Sequence, residues 1–555
     1  MNEGTLSLAR RSALSGLLLA ALTGPANTQC EVDIIRPNGL TPEDFFAKDV
    51  EAVGDTMLIS DRQDGELATQ AGSLYVYRRE ENGWVQVDKL FASDGQAQDF
   101  FGYDIDFDGE RSIVGAFGVT NGGFDSAGAA YILVRDGVNW IEEAKVLDAN
   151  PVESDLFGQT VAIDGDTAAV KSGGDNPGPN EVHIYERDGS GWTEVQTLVQ
   201  SGQSFGQDLF LLGDSLYVGA PKAPTSVGFT GAVFVYRRTP SGWIQALEIA
   251  PTQGSPSNFG ASIDGDGQRL VIGDSFDSGS GAAHVYRLLE SGWTLEGYLQ
   301  PDIPDSRLFG ADVALEDDRV LVGAPWDEEL ASFDGAAFEF EYIEGEWVQT
   351  AKVYPHEYNS LRDFARRVDL LDEQGLITSK FEFNGFAQGA GALRVYELGN
   401  AGSAFCFCAT DGSCNDPDPL RGCENARGHG ALLHACGSAS VSADDLRFST
   451  LIIPSSQTSL VYMGPNAVEV PFGNGFRCVG DAPPGNFRFP TRAANPWGVI
   501  IEGPGIVEFS RQNFSPGGQI ESGDTWSFQT WYRDSAGPCG STFNFSNAVS
   551  VSFTP

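Results

Sequence analysis

Between residues 31 and 400 apolar and polar positions alternate in short runs of roughly four to eight residues, each closed by Gly, Asp or Pro. This pattern predicts half-buried β-strands rather than helices. The runs also recur in a fixed order. Trp returns roughly every 50 residues, at Trp84, Trp140, Trp192, Trp243, Trp293 and Trp347, mostly after a Gly. Phe, usually followed by Gly, marks a second series at Phe46, Phe101, Phe157, Phe205, Phe259, Phe309 and Phe364. A Val-Gly-Ala-Pro type segment stands at 218–221 and 322–325, with looser versions at 114–117 and 272–275. A Gly-Ala-Ala-Tyr type run begins at Gly128, Gly231, Gly281 and Gly335.

Aligned on these markers, each unit predicts four strands. The first starts at Phe-Gly and runs to a tight turn such as Asp164-Gly165 or Asp266-Gly267, a hairpin signal. The second ends in the Gly-Ala-Pro segment, the third is the Gly-Ala-Ala-Tyr run, and the fourth follows the Gly-Trp turn. Four-stranded units of about 50 residues are propeller blades, which must stack in a ring to bury their faces. Phe and Trp are expected to fill the space between blades, and Gly and Ala to allow close strand approach near the axis.

The unit beginning at Phe364 lacks a fourth strand, and residues 31–37 precede Phe46 much as residues 295–301 precede Phe309. A strand near Val32 to Arg36 is therefore expected to pair with the one near 393–397 and close the ring, removing an open sheet edge. On that geometry Cys30 is expected to bond to Cys406 or Cys408. The expected class is all-β. A signal peptide over 1–29 precedes a seven-bladed β-propeller over 30–400 and a disulfide-stapled, β-sandwich-like domain over 401–555.

The ends of the chain differ in kind. Arg10 and Arg11 precede the short apolar run Ser12 to Thr23, and small residues follow at Gly24 and Ala26, as in an export signal. No later stretch approaches the length of a membrane span. Of the 8 cysteines, Cys30 stands alone and Cys406, Cys408, Cys414, Cys423, Cys436, Cys478 and Cys539 crowd the C-terminal region. In an exported chain they read as disulfides. The rival reading, a zinc cluster of Cys423, His429, His434 and Cys436, fits none of the usual spacings. The segments DLRFSTLII, SLVYMG, WGVIIEG, DTWSFQTWYRD and AVSVSF predict an antiparallel sandwich.

Charge narrows the partners. With 77 acidic and 34 basic side chains the net charge is −43, concentrated on the propeller. Such a surface repels nucleic acid and anionic membranes and reads either as a solvated acidic shell or as a surface for cations.

The series of Phe-Gly followed by Gly-Ala-Pro over 31–400 resembles the FG-GAP repeat of integrin α-subunit propellers and their secreted bacterial relatives. That resemblance implies a seven-bladed propeller used in extracellular recognition or adhesion, often with calcium held by an Asp-rich loop between the two markers. Here that interval leaves room only for two strands and a turn. The nearest match to the loop is Asp104, Asp106 and Asp108 in YDIDFDG, the sole calcium candidates. Their alternative reading is a ladder-facing or solvated pair, Asp104 and Asp106, followed by the ordinary hairpin turn at Asp108. The GCENARGHGA, FGNGFRCVG and QTWYRD segments are similar to a C-terminal module of secreted proteins from planctomycete-like bacteria.

There are only 5 His, and no HExxH helix occurs. His183 and His284 fall where other units carry Tyr75, Tyr131, Phe234 and Phe338, so they are expected to pack rather than to react. The expected function is an exported, non-catalytic binding or adhesion protein that meets an extracellular protein or glycan, with calcium as its one cofactor candidate. The alternatives are a secreted hydrolase or lyase with carboxylates at the propeller mouth, and a structural component of the cell envelope.

Overall fold

The computed structural model describes residues 30–555 apart from 39, 42–43, 81–82, 175–179, 201–203, 227, 252–256, 277–278, 302–306, 329–334, 355–362, 373, 380–389, 399–400, 409–420, 481–482, 497 and 539. The expected export signal, Cys414, Cys539 and the side chain of Cys30 lie outside the described residues. Seven four-stranded antiparallel sheets follow one another along the chain, and their inner strands neighbour each other in ring order. Those inner strands are Phe46–Val53, Ile105–Phe107, Val161–Asp164, Leu209–Leu212, Phe259–Gly265, Asp312–Glu316 and Phe364–Leu371. We number the blades 1 to 7 in that order.

Ring closure follows the expected route. The strand Cys30–Ile35 becomes the outer strand of blade 7, antiparallel to Ala392–Glu397, with Glu31 opposite Tyr396 and Ile35 opposite Leu393. A specific ion pair secures it. In six blades the third-strand slot beside the marker Phe holds a ring, giving edge-on pairs such as Phe46–Tyr75 at 5.1 Å and Phe101–Tyr131 at 5.4 Å. His183 and His284 occupy the same slot against Phe157 and Phe259, as the repeat pattern predicts. In blade 7 the slot belongs to Arg394, fully buried and paired with Glu31 of the closing strand. The Tyr396 hydroxyl donates to the same Glu31 carboxylate at 3.2 Å.

All seven marker Phe side chains are buried between blades. The packing explains the glycine that opens the Gly-Ala-Ala-Tyr run: a Cβ on Gly128 would lie 2.0 Å from the carbonyl oxygen of Phe157 in the next blade. The residue after each marker Phe takes a left-handed backbone, which Ala47 and Ala365 adopt in blades 1 and 7 in place of Gly. Four of the repeat Trp indoles reach back one blade; that of Trp192, for example, donates to Glu143 at 3.0 Å and that of Trp347 to Glu296 at 3.2 Å.

Residues beyond 400 form two facing sheets and a separate two-stranded hairpin, Ala467–Phe472 with Gly475–Val479. A six-stranded sheet contains Thr458–Gly464, Thr525–Arg533 and Phe543–Ser552, and a three-stranded sheet contains Leu432–Cys436, Arg447–Leu451 and Ile500–Glu502. Phe448 and Phe528 meet across the gap at 4.3 Å in a shared apolar core. One short helix, Ile506–Asn513, covers the core and has no counterpart in the sequence expectation. The domain sits at the propeller rim, where Arg421 donates to the Tyr354 hydroxyl at 2.7 Å.

The disulfides correct one expectation. Cys406 bonds to Cys478 and Cys408 to Cys423, so neither is available to Cys30. Directly before them, Ser403–Phe405 leaves the propeller and pairs with Ser550 to Ala548 as the edge of the six-stranded sheet. That pairing turns both cysteines into the C-terminal domain and away from the closing strand. Cys436 is also disulfide-bonded, and among the described residues there is no free cysteine. With Cys423 and Cys436 both oxidised, the zinc reading falls.

Candidate ligand-binding mouth and axial channel

Each inner strand is a sheet edge facing the axis, so its outward N–H groups have no strand to bond. Carboxylates of the preceding blade supply the acceptors. The third residue after the marker Phe is Asp49, Asp104, Asp208 or Asp312 in four blades. Asp104 Oδ2 accepts from the Val161 N–H at 3.0 Å, Asp208 from Ile263 at 2.6 Å, and Asp312 from Val368 at 2.7 Å. Two residues further on, Asp106 accepts from Ile163 at 2.6 Å, Asp264 from Leu315 at 2.6 Å, and Asp369 from Ala52 at 2.9 Å. The acidic repeat positions thus hold blade to blade.

In blade 7 the third position is Arg367. Its guanidinium spans the axis, reaching Asp312 at 3.0 Å, Asp104 at 3.2 Å and Asp49 at 3.3 Å. These three carboxylates hold its pKa well above the usual value against the opposing cost of burial. Below it lies a channel cavity of about 140 Å³ with Glu51, Asp106, Asp264 and Asp369 in its wall. Enclosure pushes the carboxyls of Asp106 and Asp264 up to about 7 and raises those of Glu51 and Asp369 well above the ordinary carboxylate value. Asp104 is pushed up to about 7 by burial first and by the Asp49 charge second.

Asp104, Asp106 and Asp108, the calcium candidates, therefore do other work. They reach three alternate residues of blade 3, Val161, Ile163 and Gly165, and Asp108 accepts from the Gly165 N–H at 2.9 Å. Its other oxygen accepts from Glu110 and Arg111, which makes it the hairpin turn of its own blade. Among the described residues no group of three His, Cys, Asp or Glu side chains is arranged to hold a metal ion. The ladder-facing alternative describes these residues.

Above Arg367 the polarity reverses. The propeller mouth is a cavity of about 490 Å³ whose wall carries Lys48, Arg62, Lys222 and Arg366. Arginines on the second and third strands are neutralised by outer-strand carboxylates, as Arg269 is by Glu296 at 2.7 Å and Arg187 by Glu143 at 2.8 Å. Among the described residues the four mouth cations have no carboxylate within ion-pair distance. Lys48 Nζ donates to the Tyr103 carbonyl at 2.9 Å and lies 4.8 Å from that ring; burial first, then Arg367, push it down to about 8. Arg62 stacks on Tyr103 and Phe45, and its Nε is buried without an acceptor among the described residues. The loops joining second to third strands open on the same face and expose Phe276 (52%), Phe229 (73%) and Phe124 (42%). Phe276 also lines the cavity.

Sequence reasoning missed these residues. Lys48, Tyr103, Gln207 and Arg366 all stand two positions after a marker Phe, a slot that varies from unit to unit and so carries no periodic signal. Its variability within an otherwise strict repeat was the available clue. One further constellation deserves exclusion from the site. Ser172 Oγ lies 2.8 Å from His183 Nε2, and His183 Nδ1 lies 3.1 Å from Glu194, but Ser172 and His183 are buried between blades.

The described residues contain no helix long and apolar enough to cross a membrane. The FG-GAP repeat family matches residues 84–133 and 140–185, two stretches that each begin on the outer strand of one blade and end on the third strand of the next. No curated protein matches the chain. Among solved structures, the β-propeller domain of the Trilobed protease from Pyrococcus furiosus is 10% identical, with 65% of this chain and 97% of that one covered at a TM-score of 0.39. A putative 6-phosphogluconolactonase from Bacteroides uniformis is 12% identical, with 59% and 89% covered at a TM-score of 0.41. With seven marker Phe side chains wedged between seven sheets, the ring formed by this chain is a seven-bladed β-propeller, and its blades 1 to 3 carry the stretches that match the FG-GAP repeat.

Proposed function

We propose that this chain is an exported, non-catalytic binding protein whose ligand enters the basic mouth of the propeller. The observation that carries this reading is the convergence of Lys48, Arg62, Lys222 and Arg366 on one cavity, unneutralised, in a chain of net charge −43. Charges that stabilise a fold are paired, as they are along the outer strands and the channel. Unpaired cations beside exposed aromatic rings fit a surface held ready for a partner. The cavity volume falls in the usual range for small-ligand sites. Disulfides and FG-GAP repeats accord with an extracellular location. Among the described residues the cavity wall carries no His to activate a hydroxyl such as that of Ser204, and Ser172 and His183 are buried between blades, which favours binding without turnover.

The test is an array of extracellular glycans and matrix proteins probed with the full chain and with its Lys222→Glu/Arg366→Glu variant, both side chains being exposed. Binding lost in the variant is expected. Binding that the variant leaves intact overturns the mouth as the site, and product formation from a bound ligand, read by mass spectrometry, overturns the non-catalytic reading.

A further inference from the structure

Resting on the mouth as the binding site, we propose that its ligand is an anionic sugar: the terminal uronate or sulfated residue of an extracellular glycan. Three features of the cavity select this class. The first is charge. Arg62, Lys48 and Arg366 present donors without carboxylate partners, and the buried Nε of Arg62 has no acceptor among the described residues. A carboxylate or sulfate oxygen supplies one, and charge-assisted bonds of this kind are the strong ones. Among the described residues the one carboxylate in the wall, Asp104, is already engaged by Arg367 and the Val161 N–H.

The second feature is the mixture around the cations. Gln207 and Asn258 each offer both a donor and an acceptor, the combination that ring hydroxyls require. Exposed Phe276 gives an apolar face for the C–H side of a sugar ring.

The third feature excludes competitors. An acidic peptide bound in extended form gains its main-chain bonds by adding a strand to a free sheet edge. Here the inner edges are capped by Asp49, Asp104, Asp208 and Asp312, and the outer edge of blade 7 is taken by the closing strand. A long polyanion would leave the cavity across a strongly acidic exterior, where repulsion acts over a Debye length of about 8–10 Å. Arg367 also closes the floor by spanning the axis. A chain end is therefore favoured over a chain interior.

The experiment is titration calorimetry on the full chain in EDTA, with trigalacturonate and a sulfated galactose disaccharide as probes. The trigalacturonate methyl ester serves as the same shape without charge, and a poly-Asp peptide as the competing class. At least one acidic sugar is expected to bind, and its ester or unsulfated form to bind at least about tenfold more weakly. Arg366→Glu is expected to weaken the acidic probe by a similar factor, and raising salt from 50 to 300 mM to weaken it further. Failure of both acidic sugars, or equal binding of the charged probe and its neutral form, overturns the proposal. So does tighter binding of poly-Asp. If an array ligand of another class loses its binding in the Lys222→Glu/Arg366→Glu variant, the sugar proposal fails while the mouth stands as the site. If binding survives that variant, both fail.

Discussion

The axial channel and the mouth above it share the same seven inner strands yet treat charge in opposite ways. In the channel, Asp104, Asp208, Asp264, Asp312 and Asp369 each accept a backbone N–H of the next blade, and Arg367 pairs with three carboxylates at once. A few residues away, Lys48, Arg62, Lys222 and Arg366 line open space without a counter-charge among the described residues. The contrast teaches that the acidity of this chain is in good part structural. The sparse basic residues at the mouth are, among the described residues, the ones left without a counter-charge.

The comparison can be broken at its strongest point by Arg367→Met. That change leaves Asp49, Asp104 and Asp312 facing one another without a cation and is expected to cost about 3–5 kcal/mol in urea unfolding of the full chain. A loss below about 1 kcal/mol would mean that the guanidinium is not what balances the channel.

A smaller effect, about 2 kcal/mol, is expected in the pH dependence of stability. Asp264 titrates near 7 in the folded chain against an ordinary value of 3.8, because enclosure disfavours its charge. Between those values the folded state holds a proton that the unfolded state has released. The contribution of Asp264 therefore favours folding at low pH and fades as pH rises through about 7. The fall in melting temperature between pH 5 and pH 8 should be shallower in Asp264→Asn than in the wild type. Identical slopes would remove Asp264 from the account.

The smallest effect is expected at the mouth. Lys222→Glu and Arg366→Glu, at exposed positions, should each change stability by no more than about 0.5 kcal/mol. Destabilisation above about 1.5 kcal/mol would place these cations among the structural charges and erase the distinction drawn here.

Much of the ring was legible beforehand because repetition encodes it. The marker Phe, the Gly-Ala-Ala-Tyr run and the Gly-Trp turn each satisfy a contact made at nearly every blade junction, so each recurs at a fixed spacing. The absent fourth strand after Phe364 could be matched to Val32–Arg36 for the same reason. Cys30 was misassigned because sequence nearness says nothing about where a chain turns once it leaves a sheet, and Ser403–Phe405 turns into the other domain. Asp104, Asp106 and Asp108 were seen as a group, but whether they face an ion or the amides of blade 3 depends on a neighbour some 57 residues away.

The sequence by itself determined the number of blades, the route of closure and the division into a cysteine-poor ring and a cysteine-rich sandwich. All three follow from local periodicity and composition. Only the tertiary structure decided which charges are spent and which are free. Pairing is a property of distances across blades: Arg367 meets partners from blades 1, 2 and 6, and Arg394 meets Glu31 from the far end of the propeller segment. Residues two places after a marker Phe become a site only when seven such places are drawn round one axis.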